Sequence, residues 1–198
     1  MCLLLETIKL EDGKLVNLDY HQQRFDRALQ HFFDQQEIQL REAIQVPKEA
    51  QTGTFRCRVI YNKEIQKIEF IPHQHREINS LRIVQDNSID YEFKYADRNH
   101  LQQLFELRGN CDDIIIIKDG QATDSFTGNL LFRNDEKWLT PKNPLLKGTQ
   151  RQYLLDNKLI HEATIKENEI HDFKKVGIIN VFYTLQNMPV IKNINIHQ

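Results

Sequence analysis

The run Ile114-Ile115-Ile116-Ile117 sets the strongest constraint on how this chain folds. Four consecutive β-branched residues pack well on a pleated surface and poorly in a helix, so the run reads as a strand. Asp119-Gly120 follows at once, a dipeptide that supplies the positive φ angles of a two-residue hairpin turn. Asp124 comes next, then Gly128-Asn129 and the apolar Leu130-Leu131-Phe132. A turn at Asn134-Asp135 leads into Trp138-Leu139-Thr140, and Pro141, Asn143 and Pro144 make an irregular loop ending at Gly148-Thr149-Gln150-Arg151. A glycine opening a helix lets backbone N–H groups and the helix dipole face an anion. A strand carboxylate and a later anion site can grip opposite ends of one small ligand. The plainer alternative is a meander followed by a surface helix.

The N-terminal part has its own pattern. Residues 2–10 read as a strand, Glu11-Asp12-Gly13 as a turn and Lys14–Leu18 as a second strand. Asp19 is placed to cap a helix on which His21, Phe25, Ala28, Leu29, Phe32 and Phe33 share one face. Arg27 reads as solvated, whereas Arg24 sits at the margin of that face, within reach of an anion. A short helix is expected around Glu37–Gln45, ending before Pro47. Thr52–Tyr61 and Ile65–Ile71 read as paired strands around Asn62-Lys63. Arg56 and Arg58 share one strand face, where they are either solvated, paired with acids, or available to a substrate carboxylate. Leu81–Gln85 is a further strand. Asp97 marks the start of a helix carrying Leu101, Leu104 and Phe105, ended by Gly109. Lys94 precedes it between Phe93 and Tyr95, and an apolar surround lowers an amine's pKa and makes it nucleophilic. Further on, Leu159–Ile165 and Val176–Thr184 read as strands and Glu169–Phe173 as a helical turn.

Length and charge narrow the function classes. The 198 residues suffice for one large or two small domains; two lobes are expected, a small α/β lobe over 1–85 and a larger strand-rich lobe over 86–198. The 26 basic and 28 acidic residues leave a formal charge of −2, so no global field points to nucleic acid or a membrane surface. No apolar run approaches the ~20 residues of a membrane span, and the first residues lack the basic region of a secretory signal. Cys2, Cys57 and Cys111 are odd in number and widely spaced, which reads as buried reduced thiols in a cytoplasmic protein. His73-x-His75 lacks further ligands at suitable spacing, so no metal is expected.

The order of the short motifs is more specific than any one of them. His21-x-x-Arg24 comes first, then Lys94 with Arg98, then Asp124 with Asn129-Leu130. Thr140-Pro141 and Leu146-Lys147-Gly148-x-x-Arg151 complete the series. This succession resembles the class IV aminotransferases, the fold-type IV pyridoxal-phosphate enzymes, a family that includes branched-chain and D-amino-acid aminotransferases and aminodeoxychorismate lyase. The resemblance runs from Glu6-Thr7 to Met188-Pro189-Val190. It implies an α+β, two-lobed fold similar to D-amino-acid aminotransferase, with a shortened N-terminus because the family's usual first strand pair is missing. It also implies pyridoxal 5'-phosphate as cofactor and a homodimer whose sites are built between subunits.

The resemblance assigns roles residue by residue. Lys94 matches the lysine that carries the cofactor and moves protons at the substrate α-carbon. Arg24 matches the arginine that binds the cofactor phosphate, and Gly148, Thr149 and Gln150 match the turn holding the same phosphate. Asp124 falls where the family usually has glutamate against the pyridine nitrogen. The family's usual Gly-Ile/Val-Thr-Arg becomes Gly148-Thr149-Gln150-Arg151, which moves or loses a hydroxyl. Phe182 and Tyr183 replace small residues often found beside the cofactor, and Thr184 is placed to offer a phosphate a hydroxyl. Arg56, Arg58 and Arg98 are the candidate substrate-binding residues. Lys94 followed by Arg98, without a tyrosine five after the lysine, is more similar to the lyases, which eliminate pyruvate from aminodeoxychorismate to give 4-aminobenzoate. The run Leu145-Leu146-Lys147-Gly148 is more similar to the D-amino-acid aminotransferases. A third possibility is a degenerate member without turnover.

Overall fold

A computed structural model describes residues 2–34, 38–134 and 136–198. The chain forms two compact units: the described residues up to His75 together with Phe93–Asp97, and Arg76–Glu92 together with Arg98–Gln198. Backbone pairing sets this division. Leu81–Gln85, expected in the first lobe, pairs in parallel with Asp113–Lys118 of the second unit. Phe93–Asp97 joins the first unit instead, through Leu5 N–H to Lys94 O and Ala96 N–H to Leu3 O, each at 2.9 Å.

The first unit contains β1 (Leu4–Glu11), β2 (Lys14–Leu15), α1 (Leu18–Phe33), the short α2 (Leu40–Ala43), β3 (Thr54–Tyr61) and β4 (Ile65–Pro72). Its sheet is antiparallel in the order β2-β1-β3-β4. Leu4, Ile8 and Leu10 alternate inward along β1, and α1 packs Phe25, Ala28 and Leu29 into the same core. Glu6 occupies the inward position between Leu4 and Ile8 and is fully buried. The strand expected over Lys14–Leu18 stops at Leu15 because Asn17, at φ 54°, turns the chain into α1. Asn17 therefore takes the cap position and Asp19 lies in the first turn, where its charge suits the helix dipole. Of the helix expected around Glu37–Gln45 only Leu40–Ala43 is helical; Glu37 lies outside the described residues, as does Asp135 of the expected Asn134-Asp135 turn.

The second unit contains β5 (Leu81–Gln85), α3 (Asn99–Glu106), β6 (Asp113–Lys118), β7 (Gln121–Ala122), β8 (Asn129–Arg133), β9 (Leu139–Pro141), α4 (Thr149–Asp156), β10 (His161–Ala163), β11 (Lys175–Ile179), β12 (Val190–Lys192) and β13 (Ile196–His197). They form two sheets, β13-β5-β6-β7 and β10-β9-β8-β11-β12. All four isoleucines of β6 are at most 1% exposed, so both faces of this strand are covered and an unbroken β-branched run is what it needs. Asp119 and Gly120 adopt φ 51° and 72°, both positive as the hairpin to β7 requires. The strand expected over Val176–Thr184 ends at Ile179. There the Asn180 side-chain oxygen accepts from the Phe182 and Tyr183 amides and folds the chain away. Arg98, not Asp97, sits at the cap of α3. Among the cysteines only Cys57 is buried, its thiol pushed up to about 12 by burial; Cys2, at the chain start, and Cys111, in the turn before β6, are half-buried.

Candidate active site

In the first unit, β1 and α1 place a charged cluster inside an apolar core. The Glu6 carboxylate receives Arg24 Nε at 2.8 Å and Nη2 at 2.5 Å, and lies 2.6 Å from His21 Nδ1. Burial would push the Glu6 carboxyl up, but the Arg24 charge and the hydrogen bonds from His21 and Arg24 outweigh it and hold it down to about 2. Burial moves His21 the other way, below its ordinary value, with the charges of Arg24 and Lys94 adding to the fall against the pull of Glu6. His21 is therefore neutral and donates through Nδ1–H, leaving one net ion pair, Glu6 with Arg24. A guanidinium has five donors and Glu6 takes two of them, in a fork that fixes its orientation. The sequence shows these residues as a polar residue on an inward strand position and a histidine on an apolar helix face.

Lys94 extends the edge of this sheet. Leu4 bridges Tyr95 in antiparallel sense, which sets Lys94 opposite Leu5, on the face that carries Thr7, Arg58 and Arg56. Its aromatic neighbours point the other way: Phe93 stacks on His31 at 4.6 Å between centroids and meets Phe32 edge-on at 4.8 Å. The aromatic flanks thus anchor the segment to α1 and do not wrap the amine. Arg27, expected to be solvated, lies 5.3 Å over the Phe93 ring.

Arg56 and Arg58 share the Lys94 face. Arg58 lies opposite Thr7 and pairs with Glu69 at 2.9 Å. Arg56 lies opposite Lys9, and its buried Nε has no hydrogen-bond partner among the described residues. Strand spacing puts the Cα atoms of Lys94 and Arg58 on the order of 12 Å apart, close enough for both long side chains to meet one small ligand.

In the second unit the centre is Asp124, which lies between β7 and β8 and is 5% exposed. One carboxylate oxygen accepts from Asn129 Nδ2 at 2.6 Å and the other from Leu146 N–H at 2.9 Å. Burial raises this carboxyl to about 6, against the opposing effects of those donors and of the Arg151 charge. Asn129 Nδ2 also donates to Leu146 O at 2.8 Å. Gly148, just before α4, has φ −68° and ψ 144°, a conformation open to any residue. Glycine is needed there because a Cβ would lie 2.0 Å from Asn129 Oδ1. Thr149, Gln150 and Arg151 follow, all buried. Arg151 binds Glu162 at 2.7 Å and Pro141 O at 2.9 Å, tying α4 to β9 and β10.

Arg98 and Thr184, also in this unit, are already engaged. Arg98 donates to Phe126 O at 2.9 Å and lies 4.5 Å over its ring, bracing the loop that starts at Asp124. The Thr184 hydroxyl donates to Asn187 Oδ1 at 2.9 Å within its own turn. Phe182 and Tyr183 are buried, and the Tyr183 hydroxyl donates to Arg76 O at 2.8 Å. Among the described residues no helix is long and apolar enough to cross a membrane, and no three metal-ligating side chains cluster.

Comparison with known proteins places these features in a family context. The model of the amino-transferase class IV family matches residues 3–186. An uncharacterized protein of Haemophilus influenzae is 40% identical over 180 residues, 89% of this chain and 96% of that protein. A protein of Haemophilus somnus 129PT, solved as a candidate 4-amino-4-deoxychorismate lyase, is 34% identical with a TM-score of 0.88, covering 93% of this chain and 98% of that one. A hypothetical aminotransferase of Mycobacterium tuberculosis in its PLP-bound form shares the fold at 16% identity, with a TM-score of 0.77 over 96% of this chain and 80% of that one.

Proposed function

This chain belongs to the class IV aminotransferase family, and from that premise we propose a pyridoxal 5'-phosphate enzyme of the aminodeoxychorismate lyase type, eliminating pyruvate to leave 4-aminobenzoate. The observation that carries this reading is the 34% identity across 93% of the chain with the Haemophilus somnus lyase candidate. The donor types are those the cofactor calls for. Lys94 offers an amine for the aldehyde. Asp124 offers a buried carboxylate, held at about 6, for the ring nitrogen. The phosphate would fall to Arg24, which Glu6 orients, and to the turn at Gly148, Thr149 and Gln150. Asp124 keeps the charge of the family's usual glutamate and reaches one methylene less far.

When bound, the cofactor supplies an electron sink for charge developing at the carbon that bears the substrate's amine. The Lys94 amine takes the proton from that carbon. The C–O bond on the neighbouring carbon then breaks, its electron pair leaving with the oxygen, and the proton held by Lys94 passes to that oxygen, so that pyruvate leaves as its enol and the ring becomes aromatic. Asp124 holds a proton at the ring nitrogen, which keeps that sink effective. Arg56 and Arg58, on the Lys94 face, bind the substrate's carboxylates, with Arg58 exchanging part of its pairing to Glu69. The working form is a cytoplasmic homodimer, as the family builds its sites between subunits.

A second reading, transfer of the amino group from D- or branched-chain amino acids, is favoured by the run Leu145-Leu146-Lys147-Gly148. Incubating the purified protein with aminodeoxychorismate, D-alanine and L-leucine, each with 2-oxoglutarate, separates the two. Release of pyruvate and 4-aminobenzoate from the first substrate supports the lyase. Consumption of an amino acid alone would replace it with the aminotransferase, and consumption of none would leave a non-catalytic member.

A further inference from the structure

Asn129 sets one side-chain amide against three neighbours. Its Nδ2 donates to Asp124 at 2.6 Å and to Leu146 O at 2.8 Å, while Leu146 N–H closes the triangle on the other Asp124 oxygen at 2.9 Å. Its Oδ1 occupies the space that a Cβ on Gly148 would need. Asn129 is buried and opens β8, where pairing with Ile179 of β11 fixes its register. Aspartate at this position would lack the donors, serine would have one hydrogen for two acceptors, and glutamine would add a methylene where Gly148 already has no room for one.

We propose that Asn129 is a positioning residue that fixes the spacing between the Asp124 carboxylate and the Gly148 turn. The contacts to the ring end and the phosphate end of one ligand are thereby set together. This rests on the reading of Asp124 and Gly148 given above and adds to it a residue that acts through both. A strand-opening asparagine with no such role would stabilise β8 and nothing else.

Two measurements on the purified protein distinguish these roles: the titration of the Asp124 carboxyl in the apoprotein, followed by 13C NMR, and the ratio of affinities for pyridoxal phosphate and pyridoxal. Arg151 is the charged group facing Asp124 and stays in place throughout. In Asn129→Ala the Asp124 midpoint should rise by about one pH unit, the order expected for losing one hydrogen bond to a charged group. The preference for pyridoxal phosphate over pyridoxal should fall about tenfold, equivalent to ~1.4 kcal/mol. Gly148→Ala is the second variant, keeping Asn129 and β8 intact but driving a methyl against Oδ1, and both readouts should move in the same direction. Folded variants that keep the wild-type titration and affinity ratio would overturn the proposal. A wild-type protein that binds no pyridoxal phosphate would remove the proposed function instead, and the apoprotein titration would still decide whether Asn129 controls Asp124.

Discussion

Glu6→Gln removes a charge from a buried position while nearly keeping its shape, and its cost can be worked in two ways. The Glu6 carboxyl is held at about 2 against an ordinary 4.5. That difference, 4.5 − 2 or about 2.5 units, corresponds to roughly 3 kcal/mol at ~1.4 kcal/mol per unit. Independently, stripping one partner from a buried ion pair costs about 3–5 kcal/mol, here because Arg24 is left without its carboxylate. Because the folded carboxyl is depressed, its stabilisation is present above 4.5 and is lost as pH falls toward about 2. His21 is also depressed, so its neutral form stabilises the fold above pH 6.5 and this contribution fades as pH drops below that value. Urea unfolding of wild type and variant across pH 3 to 8 should show a gap of about 3 kcal/mol at neutral pH that narrows below 4.5. A neutral-pH gap under about 1 kcal/mol, or one that stays constant down to pH 3, would refute the account of this cluster.

Asp124→Asn should leave pyridoxal phosphate bound, held by Lys94, Arg24 and the Gly148 turn, while turnover falls by about a hundredfold or more, equivalent to ~2.7 kcal/mol of lost transition-state stabilisation. The Asp124 carboxyl is raised, so its contribution to apoprotein stability is present below 3.8 and lost as pH rises through about 6. Loading the cofactor should drive its titration, read by 13C NMR, below 6, and an unmoved midpoint would take Asp124 away from the ring nitrogen. Sedimentation of the loaded protein at micromolar concentration should give a dimer, against which a monomer would count.

The strands with strong local signals were legible in the sequence. The isoleucine run with Asp119-Gly120 yielded β6 and its hairpin because composition, turn chemistry and burial agree there. The strand expected to run to Thr184 was too long because the side chain of Asn180 ends it, a bond that apolar patterning does not reveal. The division into units differs from a boundary at 85/86 because Phe93–Asp97 is held by pairing to β1, far away in sequence. Around the site, Arg24 was visible at the margin of its helix face, but its carboxylate partner was not, since Glu6 reads as one polar residue in an apolar strand. In the sequence Gly148 reads as a helix opener; the structure gives it a tighter reason, contact with Asn129.

With Lys94 as the residue that carries the cofactor, reduction of the loaded protein with borohydride followed by peptide mapping should give a single stable pyridoxyl label, on the peptide containing Phe93-Lys94-Tyr95. A label on any other lysine, or none on a protein that binds the cofactor, would contradict that role of Lys94.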